Sequence, residues 1–122
     1  MTLQGDIYEI LQNSCDGSSH EFVIQLKSES PIYQGHFPGN PITPGVVIIA
    51  TARELVETCT GQKLRLAGAP SVKYTSVMAP TSSPTIRYSI TTIPEGNIVK
   101  AKVTVTGENI TFARMLLKWI NI

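Results

Sequence analysis

Residues 21–27 alternate, with Phe22, Ile24 and Leu26 on one face, the period of two expected of a half-buried strand. Residues 6–12 are ambiguous, because Ile7, Ile10 and Leu11 suit a helix and a strand alike. The polar cluster at residues 13–19 contains Asp16-Gly17, a hairpin signal, and two strands around that turn favour the strand reading. The second half of the chain reads as β. Residues 73–78 form a short strand candidate, and residues 85–93 place Ile86, Tyr88 and Ile90 on one face. After a turn at Ile93-Pro94-Glu95-Gly96-Asn97, Val99, Ala101, Val103 and Val105 alternate with Lys100, Lys102 and Thr104. Gly107-Glu108-Asn109 turns into residues 110–120, apolar on both faces and therefore expected as a central strand.

Between the two β regions lies the stretch GHFPGNPITPG, residues 35–45, with Pro38, Pro41 and Pro44 at three-residue intervals. Proline fixes φ and removes a donor, which excludes helix and central strand there. The stretch ends in a helix start: Thr43 suits the N-cap and Pro44 the first helical position. The helix is expected to run to about Thr58 or Cys59, stopped by Gly61. Val46, Val47, Ile49, Ala52, Val56 and Cys59 give it much apolar surface, against a polar stripe of Arg53, Glu54 and Glu57, so it is expected to be buried. Two strands, one buried helix and a β-meander predict the α+β class: an antiparallel sheet wrapped around one long central helix.

A length of 122 residues supports a single domain, 1–122, with a real core. Ten Lys and Arg against nine Asp and Glu leave a net charge of +1, which argues against a nucleic-acid-binding role. The average hides a division. Residues 1–52 carry one base and five acids, whereas residues 53–122 carry nine bases and four acids. Cys15 and Cys59 fit neither a metal spacing nor a disulfide framework, so free thiols in a reducing cytoplasm are expected. The N-terminus shows no signal-peptide pattern, and the most apolar stretch, residues 46–50, is too short to span a bilayer.

His36 is the leading candidate for chemistry. It sits in a proline-stiffened loop just before a helix whose first N–H groups can polarise a carbonyl; the alternative is a histidine anchoring a tight turn. The run Gly35-His36-Phe37-Pro38-Gly39-Asn40-Pro41-Ile42-Thr43-Pro44-Gly45-Val46 resembles the GHFPGxPxxPGV signature of hot-dog-fold 3-hydroxyacyl-acyl-carrier-protein dehydratases. The likeness extends more loosely over most of the chain, without the extra N-terminal helix of that family.

The resemblance implies a mechanism. The substrate is a 3-hydroxyacyl thioester carried on the phosphopantetheine of acyl carrier protein, and no separate cofactor or metal is needed. His36 removes the α-proton, and N–H groups around Gly45 and Val46 steady the enolate-like oxygen. A carboxylate from the long helix assists loss of water, often across a dimer interface, because one side chain cannot take the proton and protonate the leaving hydroxyl at once. The family has Glu or Asp five residues beyond the last signature glycine, and this chain has Ala50. The next carboxylate, Glu54, lies one turn further along the same face. It is a candidate for a relocated acid, for a polar group supporting the site, or for a helix carboxylate paired with Arg53, Lys63 or solvent.

Phe37 and Tyr33 flank the histidine, lining an acyl path or packing, and Ala50 would widen such a path. His20, beside the polar turn, is expected to be solvated, and Cys59 to serve as a small buried residue. Lys63, Arg65, Lys73 and Arg87 are candidates for a positive rim facing an acidic carrier protein, or for ordinary solvated surface. The expected function is therefore a dehydratase-like lyase. The alternatives are a half-catalytic or non-catalytic subunit that binds acyl carrier protein, and a hot-dog acyl thioesterase. A homodimer, a dimer-based higher oligomer or a heterodimer is the assembly that the resemblance implies.

Overall fold

The alternating segments pair in the order that short connections allow. In the computed structural model, which describes residues 3–34 and 41–122, β1 (Tyr8–Asp16) and β2 (Ser19–Leu26) form a hairpin through the two-residue turn Gly17-Ser18. A one-turn helix α1 (Pro31–Gln34) follows, then the long helix α2 (Gly45–Thr60) and the strands β3 (Leu64–Tyr74), β4 (Thr85–Glu95), β5 (Ile98–Gly107) and β6 (Ile110–Asn121). The six strands make one sheet in the order β1-β2-β4-β5-β6-β3, and every neighbouring pair is antiparallel.

One face of this sheet packs on α2. Phe22 and Ile24 of β2, Ile86 and Tyr88 of β4, Val103 and Val105 of β5, and Met115, Leu117 and Trp119 of β6 are buried. The helix answers with two rows at four-residue spacing, Val47-Thr51-Leu55 and Ile48-Ala52-Val56, the neighbouring ridges of one helix face. Two hydroxyls in this layer are satisfied by the helix backbone. Thr51 Oγ1 donates to the Val47 carbonyl at 2.8 Å, and the Tyr88 hydroxyl donates to the Ile48 carbonyl at 3.1 Å. Gly61 ends the helix in the left-handed region at φ 72°, with its N–H on the Glu57 carbonyl; a side chain there would be strained.

Three expectations about elements need correction. The helix cap is Pro44, not Thr43, and no side chain caps it; the Thr43 hydroxyl is engaged by Tyr33 at 2.9 Å instead. The strand expected at 73–78 is β3, which begins at Leu64 and ends at Tyr74. Its pairing with β6 shifts register between Leu66 and Gly68 and again between Gly68 and Ser71. Pro70 falls in that bulged stretch of an edge strand, where a missing N–H breaks no ladder. Val46 is 76% exposed and stands outside the core. No helix among the described residues is long and apolar enough to cross a membrane.

Candidate active site at the start of the long helix

The segment carrying His36 and Phe37 lies outside the described residues, but both of its ends are fixed. On one side Tyr33 is buried, with its hydroxyl against Thr43 Oγ1. On the other, the Thr43 N–H donates to the Met78 carbonyl at 2.8 Å. Pro44 then accepts the Val47 and Ile48 N–H groups at 3.0 and 3.2 Å. The amides of Gly45 and Val46 are thus the helix-start donors without an intrahelical acceptor. Gly45 leaves room for the half-exposed Tyr74 side chain, which a larger residue would have to push aside. A Cβ there would stand 2.6 Å from the Tyr74 hydroxyl, because the Tyr74 ring at the end of β3 lies over the first helical residue. Sequence reading passed over Tyr74, whose approach depends on where β3 ends.

Beyond this start, α2 shows a second apolar face. Val46, Ile49, Ala50 and Arg53 follow the i, i+3, i+4, i+7 spacing and, with Leu66 and Trp119, line a groove of about 170 Å³. Ala50 is half-buried there and offers a methyl group where the dehydratase signature implies a carboxylate.

Glu54 points elsewhere. It is 8% exposed, and its carboxylate accepts from the Leu3 N–H at 2.8 Å, the Gln4 N–H at 3.1 Å and the Tyr8 hydroxyl at 3.1 Å. Burial, followed by the adjacent Glu54 charge, pushes the Tyr8 hydroxyl far above the ordinary tyrosine range, so it stays a donor. Arg53 stands 3.9 Å from Glu54 and bonds Glu57 at 3.2 Å, and Glu57 also accepts the Leu64 N–H at 2.7 Å. Both carboxylates of α2 are therefore engaged. Glu54 holds the N-terminal segment and Glu57 holds the start of β3.

At the opposite end of α2 two expectations fail. Cys15 and Cys59 are joined in a disulfide with a Cα–Cα distance of 5.6 Å, which withdraws the thiol argument for a reducing compartment. The bond ties the end of β1 to the last turn of α2 and closes a separation of 44 residues. Reduction is expected to lower unfolding free energy by about 2–4 kcal/mol, read as a lower urea midpoint with a phosphine reductant present. His20 is 3% exposed rather than solvated; it lies at 3.3 Å from Thr92 Oγ1, and burial lowers its pKa, which favours the neutral ring.

The expected positive rim does not form as one patch. Arg87 pairs with Glu21 at 3.4 Å on the β2–β4 side, while Lys63 and Arg65 are exposed at the start of β3. Lys73 stands opposite Arg114 and, with Lys102, lines a shallow depression on the outer sheet face.

A six-stranded antiparallel sheet wrapped on one buried helix is the hot-dog fold. Residues 12–113 match the family model described as ApeI-like, ApeI dehydratase. A 3-hydroxyacyl-[acyl-carrier-protein] dehydratase FabZ of Caldanaerobacter subterraneus is 35% identical over 103 residues, covering 78% of this chain and 72% of that protein. The FabZ of Latilactobacillus sakei is 31% identical over 106 residues, covering 78% and 76%. Among solved structures, the dehydratase heterocomplex ApeI:P from Xenorhabdus doucetiae matches with a TM-score of 0.74 at 16% identity, over 93% of this chain and 97% of that one. A putative thioesterase, yhdA of Lactococcus lactis, shares the fold with a TM-score of 0.65 at 9% identity, over 96% of this chain and 93% of that one. The chain belongs to the ApeI-like dehydratase family.

Proposed function

We propose that this chain eliminates water from a 3-hydroxyacyl thioester carried on acyl carrier protein, giving the trans-2-enoyl thioester, with His36 as the base. The observation that carries the reading is the signature at residues 35–46 running straight into a helix whose first amides lack a side-chain cap. In this reading the neutral imidazole takes the α-proton. The electron pair moves toward the thioester carbonyl, whose oxygen is met by the amides of Gly45 and Val46. The pair then returns to form the C2–C3 double bond, and the 3-hydroxyl departs as water after receiving a proton. The reaction is redox-neutral and draws on no cofactor beyond the substrate's own phosphopantetheine. Phe37 flanks the base, and Ala50 widens the acyl path beside the groove. Lys73, Lys102 and Arg114 favour an acidic carrier.

A specific observation favours a second chain as the source of the acid. Ala50 has none to give, and every partner of the Glu54 carboxylate among the described residues donates to it, so Glu54 is used as an acceptor. The uncovered Val46-Ile49-Ala50-Arg53 face, beside the free β3 edge of the sheet, is where another chain would seat. The assembly is then at least a dimer, made of two copies or of this chain with a relative bearing Glu or Asp at the position of Ala50. The ApeI:P structure, itself a dehydratase heterocomplex, is a precedent for a chain of this fold working with a different partner.

The test supplies a 3-hydroxyacyl-carrier substrate to the purified chain, to its Ala50→Glu variant, and to a mixture with such a relative, following enoyl product by mass spectrometry. Ala50→Glu and the mixture are each expected to raise the rate by about 100-fold or more over the chain alone, the usual contribution of an acid–base group. Release of free acid and thiol without enoyl product would replace this reading with a thioesterase. Absence of enoyl product in all three samples would overturn it.

A further inference from the structure

The cluster that the proposed chemistry leaves unused lies at the far end of α2. The Sγ atoms of Cys15 and Cys59 and a ring nitrogen of His20 lie within 4.8 Å of one another. The three residues come from the end of β1, the start of β2 and the last turn of α2, so the fold itself brings them together. His20 adds an independent sign of a ligand. Its ring is buried, yet Nδ1 has no hydrogen-bond partner. Thr92 Oγ1 lies within reach of both the Ser18 carbonyl and His20 Nε2. With the hydroxyl proton directed at Ser18, its oxygen accepts Nε2–H and leaves Nδ1 with a bare lone pair. A hydrogen bond to the other ring nitrogen is the arrangement that orients metal-binding imidazoles.

We propose that in the reduced protein Cys15, Cys59 and His20 hold a single zinc ion. The same two cysteines then staple β1 to α2 by a cation when reduced and by a disulfide when oxidised. Two thiolates and an imidazole suit zinc, with solvent in the fourth position. A neighbouring cavity of about 310 Å³, lined by Ser18, His20, Gln62 and Thr92 among others, gives a route for that solvent and for the ion. The exchange balances. A cellular dithiol, or a phosphine in the experiment, gives two electrons to the S–S bond and is itself oxidised. The two thiols then release two protons as zinc binds. Cys15 is exposed and Cys59 partly so, which lets the reductant reach the bond.

The experiment uses the full chain, oxidised or reduced with phosphine, titrated with Zn²⁺ against a chromophoric chelator, and with Co²⁺ as a spectroscopic substitute. The reduced chain is expected to take one ion and the oxidised chain none, with a thiolate-to-metal charge-transfer band for Co²⁺. Losing an outer partner of a metal ligand costs about 10–100-fold in affinity, so Cys15→Ser, which removes an exposed ligand, is expected to lose at least about 100-fold. His20→Ala should lose as much, but the Cys15 variant decides the matter if that buried substitution fails to fold. No stoichiometric zinc on the reduced chain, undiminished affinity in Cys15→Ser, or bound Co²⁺ without the thiolate band would each overturn the proposal.

Discussion

Replacing Glu54 with alanine is expected to lower the unfolding free energy by about 4 kcal/mol and the melting temperature by more than about 10 °C. The carboxylate gathers the Leu3 and Gln4 amides and the Tyr8 hydroxyl. Leu3 and Tyr8 are buried, so their donors have no water to turn to. Each orphaned donor costs about 1–3 kcal/mol, and breaking a buried charge network costs about 3–5 kcal/mol in comparable cases. The Gln4 amide is less costly, being part-buried. Glu54→Gln separates anchoring from catalysis. The amide keeps an acceptor oxygen, and the Tyr8 hydroxyl can rotate to accept from its NH₂ group, so the loss is expected to fall to about 1 kcal/mol. An acid in the reaction would lose its proton in that variant, whereas an anchor leaves the rate nearly unchanged. A folded Glu54→Gln protein with turnover reduced a hundredfold would make Glu54 the relocated acid. An unmoved melting temperature in Glu54→Ala would show that the three hydrogen bonds hold little.

What the sequence disclosed follows from the range of the physics. The alternation at Phe22, Ile24 and Leu26, or at Ile86, Tyr88 and Ile90, is local and survives into buried strand faces. His20 shares the parity of Phe22 and Ile24, so its burial was available from the same pattern; the adjacent polar turn masked it. Gly68 and Pro70 hid the first half of β3, because a bulge on an edge strand tolerates residues that a central strand rejects. The disulfide and the Glu54 anchor join residues 44 to 51 positions apart, and only the topology brings them together. Val46 shows a subtler limit. Helical periodicity marks it as apolar but does not say that α2 has two apolar faces, one against its own sheet and one left for the groove. The start of α2 was legible because Pro44 and Gly45 specify local backbone, whereas Tyr74 over Gly45 was not.

His36→Ala is expected to reduce enoyl formation by about 10³-fold, with the urea midpoint unchanged, because a positioned general base contributes about 10²–10⁴-fold. The chain has two histidines, and His20 cannot substitute for the other. It lies beside Cys59 in the last turn of α2, at the opposite end of that 16-residue helix from the Gly45 and Val46 amides proposed to meet the thioester oxygen. At 1.5 Å per residue the two ends are about 24 Å apart. Glu54 and Glu57 are no better placed as bases, being bound to the Leu3 and Leu64 amides. The pH profile adds a second reading. A base must be neutral to take the α-proton, so the rate should rise with pH as the imidazole gives up its proton and then level off. His36→Gln, which keeps size and hydrogen bonding, should lose both the rate and this rise. A rate retained within threefold in either variant would remove His36 from the reaction. Loss of rate with the same pH rise in the residual activity would assign the titration to another group. A rate lost along with the urea midpoint would make His36 an anchor of its own loop instead of the base.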